Sequence, residues 1–125
     1  MQLLHEELTN KIIGCAVEVH KQLGPGLLES AYGICLAREF DLQNISFEKE
    51  KPLPITYKGV NLGTQYRLDF VVDQRIVGEL KAVETLLPVH EAQLLPYLKL
   101  TPYRVGLLFN FNSKLLTQNT IRRIL

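Results

Sequence analysis

Residues 66–84 read YRLDFVVDQRIVGELKAVE, and the way this stretch folds back on itself decides the rest. It predicts two strands, roughly Tyr66 to Val72 and Ile76 to Val83, joined by a tight turn at Asp73 to Arg75. Side chains alternate faces along a strand, which groups Leu68, Phe70 and Val72 on one side and Arg67, Asp69 and Val71 on the other. On the second strand Ile76, Gly78, Leu80 and Ala82 form the apolar set, leaving Val77, Glu79 and Lys81 opposite. If both apolar sets face one core, the numbers of paired residues must sum to an even value. A three-residue turn meets that condition and sets Asp69 against Glu79 and Arg67 against Lys81. Directly opposed side chains have Cβ atoms ~5 Å apart, where like charges are destabilising. Two readings follow. Either the face is solvated, with a diagonal Asp69 to Lys81 attraction easing the repulsion, or a divalent cation lies between the carboxylates. Spacing leaves both open.

On the amino-terminal side, Leu4, Leu8, Ile12, Cys15 or Ala16, Val19 and Leu23 recur at helical spacing and predict an amphipathic helix from Leu3 to Leu23, ended by Gly24-Pro25-Gly26. A second helix from about Leu27 to Leu42 carries Leu28, Ala31, Tyr32, Cys35, Leu36 and Phe40 as its buried stripe. Between Ile45 and Gly63 the pattern alternates around Pro52 and Pro54, which suits an edge hairpin. Beyond Val83, residues 87–101 read as a helix that Pro96 kinks or ends early. Residues 103–111 form a nearly continuous apolar run, expected to be a strand covered on both faces, and Ile121 to Leu125 a last edge strand. The expected architecture is α/β, a mixed sheet with helices packed on it.

With 125 residues, 46% hydrophobic and 22% charged, the chain is expected to form one domain spanning residues 1–125 with its own core. The net charge of +1 provides no global field towards nucleic acid or anionic membranes. Arg38, Lys58, Arg67, Lys99, Arg104, Arg122 and Arg123 look scattered, and solubility is their expected use. Cys15 and Cys35 lack metal or redox spacing and read as reduced thiols. No signal-peptide block or membrane span is evident, so a soluble, cytoplasmic protein is expected.

Two weaker signals stand elsewhere. Glu29 lies near the amino end of the second helix, where a carboxylate complements the helix dipole, and Gln93 and Tyr97 stand four apart on one helix face. His20 and His90 read best as hydrogen-bonded helix histidines. Gly26-x-x-Glu29-x-x-Tyr32 resembles the signature of the small bacterial GxxExxY proteins, which are placed in the PD-(D/E)XK nuclease superfamily. The blocks LGPGLLESAY, PLPITYKGV, LGTQYRLDFVV, VGELKAVE, LPVHEAQLLPYLKL and RVGLLFNFN are similar to family blocks in the same order. A bare acid-x(n)-E-x-K is weak; the ordered set is specific. The proline that often precedes the first acid is replaced by Leu68.

The resemblance implies a restriction-endonuclease-like fold and hydrolysis of phosphodiester bonds in nucleic acid, with DNA ahead of RNA and Mg²⁺ or Mn²⁺ as cofactor. It implies Asp69, Glu79, the main-chain carbonyl of Leu80 and Glu29 as metal ligands. Lys81 would orient or deprotonate the attacking water or stabilise charge on the phosphate, with Gln93 beside it, while Gln93, Tyr97 and Tyr32 would meet substrate. The near-neutral charge predicts dependence on homo-oligomerisation, on a partner subunit, or on a small or single-stranded substrate. The rival reading keeps the fold without turnover, as a nucleic-acid-associated or protein-interaction module; a plain oligomerisation domain is a third.

Overall fold

The computed structural model describes residues 4–125. Helix α1 (Glu6–Leu23) and helix α2 (Glu29–Leu42) lead a five-stranded sheet formed by β1 (Phe47–Tyr57), β2 (Val60–Val72), β3 (Ile76–Lys81), β4 (Val105–Asn110) and β5 (Thr120–Ile124). Two short helices, α3 (Pro88–Ala92) and α4 (Leu94–Lys99), connect β3 to β4. Strand order follows the chain, and every neighbouring pair is antiparallel except β3 with β4. That parallel pair needs a crossover, which α3 and α4 supply. This is the mixed α/β sheet expected from the sequence.

Each face of the sheet buries its own core. On one, Phe70, Val72, Ile76, Leu80, Leu107 and Phe109 pack against Ile12, Cys15, Ala16 and Val19 of α1 and Tyr32, Leu36 and Phe40 of α2. On the other, Leu53, Leu68, Val71 and Val77 meet Leu98 of α4 and Tyr103. Strand β4 is buried along its whole length, as its continuous apolar run requires. Burying one side chain such as Phe109 contributes about 1.5–3 kcal/mol.

Several boundaries differ from expectation. Helix α1 begins at Glu6, after His5 in a left-handed conformation, and Leu3 lies outside the described residues. Leu28 precedes the first turn of α2 in extended backbone and stays 77% exposed, so the buried stripe starts at Tyr32. The return arm of the expected edge hairpin and the first strand of 66–84 are one strand, β2, thirteen residues long. The expected helix over 87–101 is two, because Pro96 has no N–H for the carbonyl of Ala92 and its ring crowds that carbonyl.

The pairing of β2 with β3 has the expected register, Phe70 with Gly78, Val71 with Val77 and Val72 with Ile76. Its turn places Asp73 and Gln74 at positive φ, with the Arg75 N–H donating to the Val72 carbonyl at 3.0 Å. Alternation fails one residue further out. Leu68 packs with Val71 and Val77, on the face opposite Phe70, so the expected grouping of Leu68 with Phe70 and Val72 is corrected. The irregularity sits at Asp69, facing the point where β1 skips a pairing position at Glu50, whose φ is 55°. Among the described residues no helix is long and apolar enough to cross a membrane.

Candidate active site

The ladder between β2 and β3 ends at Phe70 and Gly78, and side chains replace its next bonds. The Asp69 N–H donates to Glu79 Oε2 at 3.2 Å, and the Leu80 N–H donates to Asp69 Oδ2 at 2.7 Å. The two carboxylates are therefore brought together as the parity argument requires, each held by the other strand's backbone. Glu79 is only 7% exposed. Burial first, then hydrogen bonding and repulsion from Asp69, push its carboxyl up to about 9, with the Asp69 N–H and Lys81 pulling the other way. Repulsion at this pair is eased by backbone donors, and burial favours the protonated form of Glu79, an answer that spacing alone does not contain.

Lys81 ends β3 on the same side as Glu79. Its carbonyl accepts the Phe111 N–H at 2.9 Å on the β4 side. Peptide groups alternate direction along a strand, so those of Leu80 are directed towards β2, as the Leu80 bond to Asp69 shows. Just beyond, the buried Asn110 side chain accepts from the Val83 N–H at 3.1 Å and donates to the Val83 carbonyl at 2.9 Å, pinning the chain as it leaves Lys81.

Glu29 reaches the site through a loop that its neighbours shape. Gly26 has a φ of 103°, a conformation that side chains disfavour. Tyr32 is fully buried and stacked on Phe111, ring centroids 4.6 Å apart. Its hydroxyl donates to the Gly24 carbonyl at 2.6 Å and accepts the Leu27 N–H at 3.1 Å. This corrects the expected substrate contact for Tyr32: with no exposed surface and both hydrogen-bonding roles used, it ties down the loop before Glu29. Although Glu29 is exposed as a residue, its carboxyl is partly withdrawn from water. That burial first, then Asp69, pushes the carboxyl up, and Lys81 opposes the shift.

Helices α3 and α4 close the cavity with Gln93 and Tyr97, joined by Arg67 and His90. The space holds about 90 Å³. Burial, then Glu79, Tyr66 and Asp69, raise the Tyr97 phenol above its ordinary value, so it stays a hydrogen-bond donor. His90 accepts the Leu87 N–H through Nδ1, and His20 bonds the Ser113 carbonyl at 2.7 Å, both as expected of helix histidines. A second cavity of about 280 Å³ adjoins Asp69 and Leu80 on the α2 side, lined also by Lys49 and Glu50. Adjacent strand residues ordinarily face opposite ways; the positive φ of Glu50 is what lets both line it. Neither was legible as a site residue, because a left-handed Glu leaves no mark in the sequence. Arg67, expected only to confer solubility, is also at the site.

A divalent ion was tested against these residues on their donor chemistry. Asp69 and Glu79 offer hard carboxylate oxygens side by side, which suits Mg²⁺ or Mn²⁺ held by one or two carboxylates with waters and phosphate oxygens completing the set. Among the described residues no three His, Cys, Asp or Glu side chains converge on one point, so Glu29 belongs to the same cavity without joining a three-acid cluster.

The model of the PD-(D/E)XK nuclease superfamily matches residues 6–124. No curated protein and no solved structure matches the chain significantly. Nucleases of that superfamily typically use divalent metals and act on nucleic acid. The match covers nearly the whole chain and agrees with its five-stranded mixed sheet flanked by helices; the chain belongs to the PD-(D/E)XK nuclease superfamily, whose reaction is nuclease-type phosphodiester hydrolysis.

Proposed function

We propose that this chain is a single nuclease-like domain of the GxxExxY type that hydrolyses phosphodiester bonds in nucleic acid, DNA foremost, with Mg²⁺ or Mn²⁺. The observation that carries the reading is the buried Glu79 hydrogen-bonded to the Asp69 N–H at the split between β2 and β3, with Lys81 in the same cavity. The Gly26, Glu29, Tyr32 loop supports the family type, since each of the three residues has a physical task in presenting Glu29. Unpaired Cys15 and Cys35 fit a cytoplasmic setting.

Asp69 and Glu79, with the Leu80 carbonyl, would hold the ion, and Glu29 would approach it through water. When bound, such an ion neutralises charge on the phosphate and makes water more acidic. The chain's own residues do the rest. To serve as a ligand, Glu79 would have to release its proton to solvent. Asp69, by holding the Leu80 N–H, fixes the orientation of the Leu80 peptide. Lys81 orients or deprotonates the attacking water, or meets charge developing on the phosphate. Gln93, at the junction of α3 and α4, and Tyr97 of α4 position substrate or Lys81.

A calorimetric Mn²⁺ titration of the parent beside Asp69→Asn tests the site. Binding by the parent that is lost in the variant is expected; equal binding by both would remove Asp69 from the ligand set. Lys81→Ala should keep Mn²⁺ binding and lose about 10²–10⁴-fold in hydrolysis of labelled DNA. If no nucleic acid is cut by the Mn²⁺-loaded parent, the non-catalytic module replaces this reading.

A further inference from the structure

Residues 51–68 contain Lys51, Lys58 and Arg67 and no Asp or Glu, in a chain whose 14 Lys and Arg stand against 13 Asp and Glu. The near-zero net charge conceals this local excess. The stretch forms the outer part of the β1 and β2 hairpin, whose tip is a two-residue turn at Lys58 and Gly59, both at positive φ. Because β2 pairs with β3 only from Phe70 to Val72, the hairpin projects past β3 as a two-stranded arm. Residues 60–67 are all exposed.

Two strands without further support are marginal in water. This pair also leaves Tyr57, Val60, Leu62 and Tyr66 between 51% and 59% exposed, which marks a contact surface. Lys51 is engaged by the Tyr103 hydroxyl and Glu48. Lys58 and Arg67 form no ion pair among the described residues. The Lys58 ammonium lies 5.5 Å from the centre of the Tyr57 ring. The Tyr66 ring lies 5.9 Å from that of Tyr97, and Tyr97 and Arg67 line the cavity of Asp69 and Glu79. Aromatic and cationic groups thus stand at both ends of the arm, Tyr57 and Lys58 at the tip and Tyr66 and Arg67 beside the site.

We propose that this arm grips single-stranded nucleic acid and leads it to Asp69 and Glu79; the inference rests on the nuclease reading and names its substrate class. Excess positive charge calls for a polyanion. Exposed tyrosine rings choose among polyanions, because unpaired bases stack on them while duplex bases, lipid headgroups and acidic peptides do not. Two unpaired cations are too few to hold a duplex by phosphate contacts alone. Eight strand residues extend about 25 Å, enough for roughly four nucleotides, the low end of single-strand site sizes.

The test is fluorescence anisotropy with a labelled oligothymidylate of about fifteen nucleotides, without divalent ion so that nothing is cut. The parent should bind it more tightly than a duplex of the same length. The double variant Tyr57→Ala/Tyr66→Ala should weaken Kd about tenfold or more, while Tyr57→Phe/Tyr66→Phe, which keeps both rings, should bind like the parent. Lys58→Ala should flatten the salt dependence by about 0.7 in log–log slope. Equal affinity of the alanine pair and the parent, preference for duplex, or binding of anionic vesicles in place of the oligonucleotide would each overturn the proposal. Hydrolysis is read separately: a parent that cuts DNA without using the arm removes only this inference, whereas arm-dependent binding with no cutting removes only the catalytic reading.

Discussion

At the scale of single residues, Glu79 is set apart by its upward-shifted carboxyl. The carboxyl holds its proton up to about pH 9 in the folded chain and releases it near ~4.3 when unfolded. The folded state binds the extra proton, so stability is fully present below the unfolded value and falls as pH rises through the folded one. The loss approaches about 1.4 kcal/mol per pH unit at most. Denaturant unfolding without metal at several values across that range should show the decline in the parent and a flatter profile in Glu79→Gln, which should keep the fold. Identical slopes would mean that Glu79 is not the group responsible. Tyr32→Phe keeps the stacking on Phe111 but strands the Gly24 carbonyl and Leu27 N–H, for a cost of about 1–2 kcal/mol. Hydrolysis should fall further than that loss of folded protein explains, because the loop before Glu29 loosens. Unchanged turnover would show that Glu29 needs no such support. The pairing of Asp69 with Glu79 was legible from parity and turn length. The role of Tyr32 was not, since a tyrosine in a signature looks the same whether its hydroxyl meets a ligand or a loop.

At the scale of elements, the site exists because β2 and β3 stop pairing where carboxylates enter the ladder. The turn and the register were readable because a two-residue period tolerates no slip. The reversal of Leu68 was not, because it follows from an irregularity at Asp69 facing Glu50, and neither residue type announces one. Pro96 did announce the division between α3 and α4. The end of β3 depends on β4 through Asn110, which is 1% exposed and bonds both peptide groups of Val83. Asn110→Ala should cost about 2 kcal/mol and free the segment that carries Lys81. Since Asp69 and Glu79 are held separately, kcat should drop while Mn²⁺ affinity stays near that of the parent. Parallel losses in both would show that the pinning supports the whole site.

At the scale of the whole molecule, two segments far apart in sequence deliver Glu29 and α4 to a hairpin that carries the essential acids. With Glu79 as a ligand, as proposed, metal binding would displace its proton and change the charge balance of the protein. Mn²⁺ affinity should therefore climb with pH towards about 9, and calorimetry in buffers of different ionisation heat should report close to one proton released at neutral pH. No release would place Glu79 outside the ligand set. The even charge total hid the acid-free stretch 51–68, which becomes meaningful only once the hairpin is seen to project past β3.

The parallel contact of β3 with β4 makes the pocket of Glu79 depend on a strand that follows it by more than twenty residues. Glu79 stands beside Leu108 in that pairing, so the pocket that withdraws it from water is closed only when β4 is in place. The segment before Val105 carries Glu29, Asp69, Glu79 and Lys81, yet lacks the wall that β4 supplies. A fragment ending at Thr101 should show no tight Mn²⁺ binding; parent-like affinity in such a fragment would rule this dependence out.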